Sequence, residues 1–244
     1  MKLSFICLPL VFIGCTTLPP PHSYVAPKAK GAMVIDGRAD EPDWQAAPWA
    51  VGFVDITGDP AKAPIYSTRA KLLWNDEALY VFAELEEPFV TATLTNRDDV
   101  VWKDNDFEIF IDPDGDGENY YEFEFNALNT AFDLFLVRPY NLSRGTYVLH
   151  HWDAKGLESA VSVHGTLNDA RDRDRGWSLE VKLPNESLAN GFEKPLAAGR
   201  TIRVGFSRVE WLNQEREENW TWGPTGEVNM HLPHRWGIVR LGDK

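Results

Sequence analysis

The sequence predicts an all-β protein: a single antiparallel β-sandwich of jelly-roll type with few short helical turns. Three observations predict it. Short apolar or alternating runs recur between turn residues from Met33 onward. Helical periodicity is weak throughout, and neither an internal repeat nor a Pro/Gly/Ser linker interrupts the chain after residue 30. A chain of 244 residues is filled by one such domain.

The first residues read as an address rather than as fold. Lys2 precedes an apolar run over 3–13, closed by Gly14-Cys15. The run is too short to cross a bilayer and matches the core of a secretory signal. Its Gly-Cys ending resembles the lipobox of bacterial lipoproteins, although Phe12 and Ile13 are bulkier than the usual pattern. That resemblance implies a signal peptide over 1–14 and lipidation of Cys15. It also implies an exported, cell-envelope protein (outer membrane or facing the periplasm) that meets the membrane only through its lipid. Ordinary secretion with cleavage elsewhere is the alternative. Residues 15–32, with Pro19-Pro20-Pro21 and Pro27, read as an extended tether, and 33–244 as the folded domain. Cys7 and Cys15 are the only cysteines, so disulfides, thiol chemistry and cysteine-bound metals are excluded from the domain.

Within the domain the expected strands are 33–36, 69–74, 79–86, 107–112, 120–126, 132–137, 176–183, 200–208 and 236–241. Residues 42–47 and 185–189 are each expected to make about a turn of helix. Alternation assigns faces: Phe107, Ile109 and Ile111 point one way, and Glu108, Phe110 and Asp112 the other. In the next run Tyr121, Phe123 and Phe125 point inward, and Glu122, Glu124 and Asn126 outward. If the Asp/Gly-rich loop between the two runs makes them a hairpin, Glu108 shares a sheet face with that polar row. Glu122 and Glu124 read as solvated residues. Glu108 and Asn126, with aromatic residues close by in sequence, read as functional.

Composition narrows the function. A net charge of −13 argues against nucleic acid, which requires a basic footprint, and against a polybasic membrane-surface module. Ten Trp, seven Tyr and thirteen Phe exceed what a core of this size needs, so some rings are expected to be on display.

Several motifs, in order, carry a resemblance to family 9 carbohydrate-binding modules, β-sandwiches related to DOMON-like domains. They begin with Ile35-Asp36-Gly37, Asp40 to Trp44, and Leu72 to Asp76 with Leu79-Tyr80. The series continues through Trp102 to Asp112, Tyr121-Glu122-Phe123 with Asn126, and Gly176-Trp177 with Glu180. Phe206-Ser207-Arg208, Trp220 to Trp222, His231-Leu232-Pro233 and Trp236-Gly237 complete it. The resemblance implies non-catalytic binding of an oligo- or polysaccharide, in support of extracellular polysaccharide degradation or uptake. Glycan-degrading enzymes are the companions it implies, although no catalytic domain accompanies these motifs.

Elementary chemistry agrees with that implication. A pyranose has apolar C–H faces and a hydroxyl rim, so it takes a flat ring on its face and fixed acceptors at its edge. Ionised carboxylates make the stronger of those bonds. The resemblance implies two Trp clamping the sugar, best matched by Trp102 and Trp222, with Glu108 as hydroxyl acceptor. Asn126 and Arg208 are rim donors, and Asn129 and Asn229 weaker candidates. Trp44, Trp177 and Trp236 read as core, and His231 as a hydrogen-bonded structural residue.

Asp112, Asp114, Asp116 and Glu118 alternate around glycines, a hard-oxygen pattern that suits a structural Ca²⁺ and that also suits a plain hairpin turn. Asp104, Asn105 and Asp106 form a second cluster. Two other function classes stay open: a weakly hydrolytic glycoside hydrolase or its accessory, and a haem-binding DOMON-like electron-transfer domain. The haem class needs axial His or Met, for which Met230 beside His231 is available. Residues 141–155, with Tyr147, His150, His151 and Trp152, fit no motif.

Overall fold

The computed structural model describes residues 18–140, 147–189, 196–213 and 215–243. The apolar run 3–13 and Cys15 lie outside these residues, as do 141–146 of the region without a motif. In chain order the elements begin with β1 (Ser23–Ala26), the short helix α1 (Pro42–Ala46), β2 (Val54–Asp55), β3 (Thr68–Trp74), β4 (Ala78–Glu86) and β5 (Asp106–Asp112). Then come β6 (Tyr120–Asn126), β7 (Ala131–Leu136), β8 (Val148–Leu149) and β9 (Glu158–His164). The chain closes with β10 (Gly176–Pro184), β11 (Thr201–Leu212), β12 (Arg216–Thr221) and β13 (Gly237–Leu241).

Two sheets face each other. The larger runs β1-β13-β11-β5-β6-β7-β8, with β12 attached to β11 and to β2; the smaller runs β3-β4-β10-β9. Among the described residues every strand ladder is antiparallel except β1 on β13. The inward rows of Phe107, Ile109, Ile111, Tyr121, Phe123 and Phe125 meet Leu72, Val81, Leu179 and Val181 of the smaller sheet in one apolar core. The hydrophobic effect of this double layer is the dominant favourable term in the fold. The all-β sandwich expected from the alternating runs is the architecture found.

Four differences from the sequence reading matter. Residues 23–26, read as tether, are a strand: Tyr24 and Ala26 are buried, and the Tyr24 hydroxyl donates to the Pro48 carbonyl at 2.7 Å. Residues 33–36 are not a strand. Their amides reach sideways instead, Asp36 and Gly37 N–H donating to Glu180 Oε2 at 3.0 and 3.1 Å, while the Trp44 indole donates to Oε1 at 2.8 Å. Gly37 is required there, since at φ 82° a Cβ would come within 2.8 Å of the Ser162 nitrogen. β11 runs four residues beyond its expected end, to Leu212. β12, half of whose residues are charged, pairs along that extension.

Candidate binding site

The outer face of the larger sheet carries the site. Register places Glu108 directly opposite Glu124, Phe110 opposite Glu122, and Asp106 opposite Asn126. Glu124 and Glu122 in turn oppose Phe132 and Leu134 of β7. Like charges set opposite on a ladder destabilise it, so a buried Glu–Glu pair is a cost the fold carries for something else. At one end of this face Phe110, Tyr120, Leu134, Leu136 and Trp236 form a second apolar cluster. Gly205 makes room for it: a Cβ there would lie 2.9 Å from the Trp236 ring. At the other end the single turn Val101–Lys103 overhangs the sheet.

Between these ends lies a cavity of about 730 Å³. Glu108, Glu122, Glu124, Val209, Phe132 and Leu134 line it along the sheet, with Trp102, Val100, Tyr140, Met230 and His231. Asp98, His150, His151, Glu217 and Asn219 also contribute. Trp102 borders the cavity while remaining 39% exposed. Its main chain is fixed at both ends: its N–H donates to Glu124 Oε2 at 3.0 Å, and its carbonyl accepts the Trp211 indole N–H at 3.0 Å. Beyond Trp102 a second hollow of about 500 Å³ includes Thr91, Thr93, Asn168 and Trp211. A third, of about 440 Å³, continues past Trp211 to Tyr66 and Phe89.

Burial governs the electrostatics. It pushes the Glu108 carboxyl up to about 7, against a hydrogen bond from the Ser207 hydroxyl that favours the ionised form. Burial and the Glu108 charge push Glu122 well above the usual carboxylate range. Burial and the charges of Glu122, Glu108 and Asp106 do the same to Glu124. Burial lowers His231 to about 4, so it is neutral at pH 7. Its Nδ1 lies 2.9 Å from the Tyr120 hydroxyl and its Nε2 3.8 Å from Glu122. Among the described residues no lysine or arginine lines the cavity. The result is an apolar-walled hollow with an acidic floor, suited to a ligand that brings apolar faces and many hydroxyl donors.

The structure separates the residues that the sequence grouped. Trp102 and Glu108 are at the cavity. Trp222 is not: it is 4% exposed, stacked on His22 at 5.4 Å and packed against Tyr24 and Phe206. Thr221 pairs with Ser207, so Trp222 falls opposite Phe206 on the core side, and no Trp102–Trp222 clamp forms. Arg208 also faces inward. Its guanidinium binds Glu210 at 2.6 Å, the Thr68 hydroxyl and the Glu86 carbonyl, and lies over the Trp220 ring. Asn126 is fully engaged. Its amide donates to the Leu94 carbonyl and Asp104, and its oxygen accepts from Leu128 and Thr130 N–H. Arg208 and Asn126, expected as rim donors, are both engaged within the fold. Asn129 donates to the Ser159 carbonyl, and Asn229 accepts from His231 N–H.

Glu122 and Glu124, read as solvated, are buried cavity residues. Tyr140 carried no signal in the sequence, and Met230 only its place beside His231 as a candidate axial ligand. His150 and His151 carried only the absence of a motif. His231 is hydrogen-bonded as expected, and also borders the cavity.

In the acidic hairpin Asp112, Asp114 and Asp116 each bring an oxygen within 4.8 Å of the others, and Glu118 is not in that group. Glu118 lies 3.8 Å from Arg138 instead. Asp112 accepts from Gly115 and Gly117 N–H and, through burial, is pushed up to about 6. Three hard oxygens at the mouth of a tight turn fit a Ca²⁺ ion by donor chemistry. Asp104 is no ligand: its oxygens clasp Thr93, Leu94 and Asn126.

The fold is a β-sandwich with a cavity on the outer face of its larger sheet. Residues 35–244 match the family described as carbohydrate family 9 binding domain-like, and the chain belongs to that family. A crystal structure of a Bacteroides uniformis protein superposes with a TM-score of 0.68 at 17% identity, covering 90% of this chain and 99% of that one. A family 9 carbohydrate-binding module from Caldicellulosiruptor kristjanssonii, in complex with cellotriose, gives 0.59 at 18% identity, over 91% and 94% of the two chains. The same module with glucose gives 0.56 at 18% identity, over 90% and 97%. Endo-1,4-beta-xylanase C of Paenibacillus barcinonensis is 32% identical over 104 residues, which are 42% of this chain and 9% of that enzyme.

Proposed function

We propose that this protein is a non-catalytic saccharide-binding module whose ligand occupies the cavity on the outer face of the larger sheet. The observation that carries the reading is the pairing of an exposed Trp102 ring, held by its own main chain, with the buried carboxyls of Glu108, Glu122 and Glu124. The indole takes the apolar face of a sugar ring, and the carboxyl oxygens accept its hydroxyl protons. The continuation of the hollow past Trp102 and Trp211 supports a ligand of several units, with further rings stacking on Trp211. Membership of the family and the saccharide complexes of the Caldicellulosiruptor module support the same ligand class. The acidic hairpin holds a structural Ca²⁺ in this reading. The N-terminal Gly14-Cys15 supports an exported lipoprotein serving polysaccharide degradation or uptake.

The test is a titration of the purified chain with glucose, cellotriose and xylo-oligosaccharides, followed by tryptophan fluorescence and calorimetry. Saturable binding that tightens with chain length is expected. Absence of binding across the panel by folded protein would remove the reading. Reducing-sugar release from polysaccharide would replace it with the hydrolase.

A further inference from the structure

We propose that a divalent-cation site, separate from the acidic hairpin, is built by Glu108 and Glu124, which line the cavity, and by Asp106, which lies fully buried beside them and outside the lining. The site borders the cavity assigned to the saccharide, but it requires no sugar to form. Each carboxylate is held through one oxygen. Asp106 Oδ1 accepts from Val209 N–H at 3.0 Å, Glu108 Oε2 from the Ser207 hydroxyl, and Glu124 Oε2 from Trp102 N–H at 3.0 Å. The three donors come from β11 and the Val101–Lys103 turn, so the carboxylates are oriented by different parts of the fold. Each of the three residues offers an oxygen within 4.8 Å of those of the other two.

A second observation points to a missing partner. Asp106 is fully buried, and its Oδ2 has no hydrogen-bond partner among the described residues. A buried carboxylate oxygen left without a donor costs about 1–3 kcal/mol or more, and such groups are rare in folded proteins. The direct opposition of Glu108 and Glu124 adds to the same imbalance. A small hard cation removes all three problems at once. It gives Asp106 Oδ2 a partner, screens the opposed pair, and prefers an all-oxygen set completed by water or ligand hydroxyls. The donor set contains no sulfur or imidazole, which favours Ca²⁺, Mg²⁺ or Mn²⁺ over zinc or copper.

The test uses the ion alone. The chain is stripped with EDTA and titrated with Ca²⁺ by calorimetry, and with Tb³⁺ by luminescence sensitised through tryptophan, for which Trp102 is adjacent. The hairpin is silenced with Asp114→Asn and Asp116→Asn. This background is expected to retain one saturable site that raises the melting temperature. Adding Glu124→Gln should weaken that site at least tenfold, and adding Asp106→Asn should abolish it. Glu122→Gln, also on the cavity wall but outside the triad, should weaken it less than threefold. Circular dichroism identifies any variant that fails to fold, and Glu124→Gln alone then decides. A hairpin-silenced protein that binds no ion overturns the proposal, as does binding unchanged by Glu124→Gln. Saccharide titration with and without Ca²⁺ is read separately: sugar binding without an ion site leaves the saccharide reading intact and removes only this one.

Discussion

Trp102 and Trp222, paired by the family resemblance, are expected to respond in opposite ways to truncation. Trp102→Ala removes a ring that is 39% exposed but leaves both anchors of the turn, because its contacts to Glu124 and Trp211 are made by main-chain N–H and C=O. Its cost to stability is therefore expected to be under about 1 kcal/mol. A pyranose laid on one indole face covers roughly 80 Å² of apolar ring, which at about 25 cal/mol per Å² is ~2 kcal/mol, or roughly thirtyfold in Kd. Trp222→Ala instead empties a site 4% exposed among Phe206, Tyr24 and His22. Truncation of a buried Trp costs about 3–5 kcal/mol of stability through lost burial and the cavity left behind. Urea unfolding and calorimetric titration with cellotriose, run on both variants, measure the two effects. Trp102→Ala that binds as tightly as wild type would refute the placement of the sugar. Trp222→Ala that unfolds at the wild-type urea midpoint would refute the placement of Trp222 in the core.

Other expectations follow from the same contacts. Burial pushes Glu180 up to about 7, so between about 4.5 and 7 the folded state holds a proton that the unfolded chain has released. That contribution to stability is fully present below 4.5 and is lost as pH rises through 7. It amounts to about 3 kcal/mol for this group, and the melting temperature against pH should lose a matching slope in Glu180→Gln. Arg208→Met leaves Glu210 buried without its cation and should cost about 3–5 kcal/mol of stability in denaturant titrations. A shifted ligand affinity in the folded fraction of that variant would return Arg208 to the site. In EDTA-stripped protein, Asp112→Asn should reduce the Ca²⁺-induced rise in melting temperature, measured by scanning calorimetry. An unchanged rise would reduce the hairpin to a turn.

Local signals carried much of this protein. Alternation over β5 and β6 set which side chains share a face, because successive residues on a strand point to opposite sides whatever the rest of the chain does. Trp102 and Glu108 were legible through the family resemblance, because both fall in the one matching run from Trp102 to Asp112. The Asp36-Gly37, Trp44 and Glu180 motifs were visible as well, although their joint role as a clasp across the smaller sheet was not.

Tertiary structure decided the rest. Alternation assigns a residue to a face but does not say what covers that face. Glu122 and Glu124 looked solvated because their cover, Tyr140, Met230, His231 and Trp102, comes from distant segments. Trp222 and Arg208 were placed by the register between β11 and β12, where a shift of one residue exchanges core for cavity. Asn126 lost its free valences to loops that arrive only on folding. β1 became a strand because β13, more than two hundred residues later, offered it an edge. The sequence by itself determined an acidic, aromatic-rich β-sandwich with a carboxylate row on one sheet face. Whether that row met open water or a walled hollow was decided by long-range packing, since burial belongs to the assembled layers and not to any strand alone.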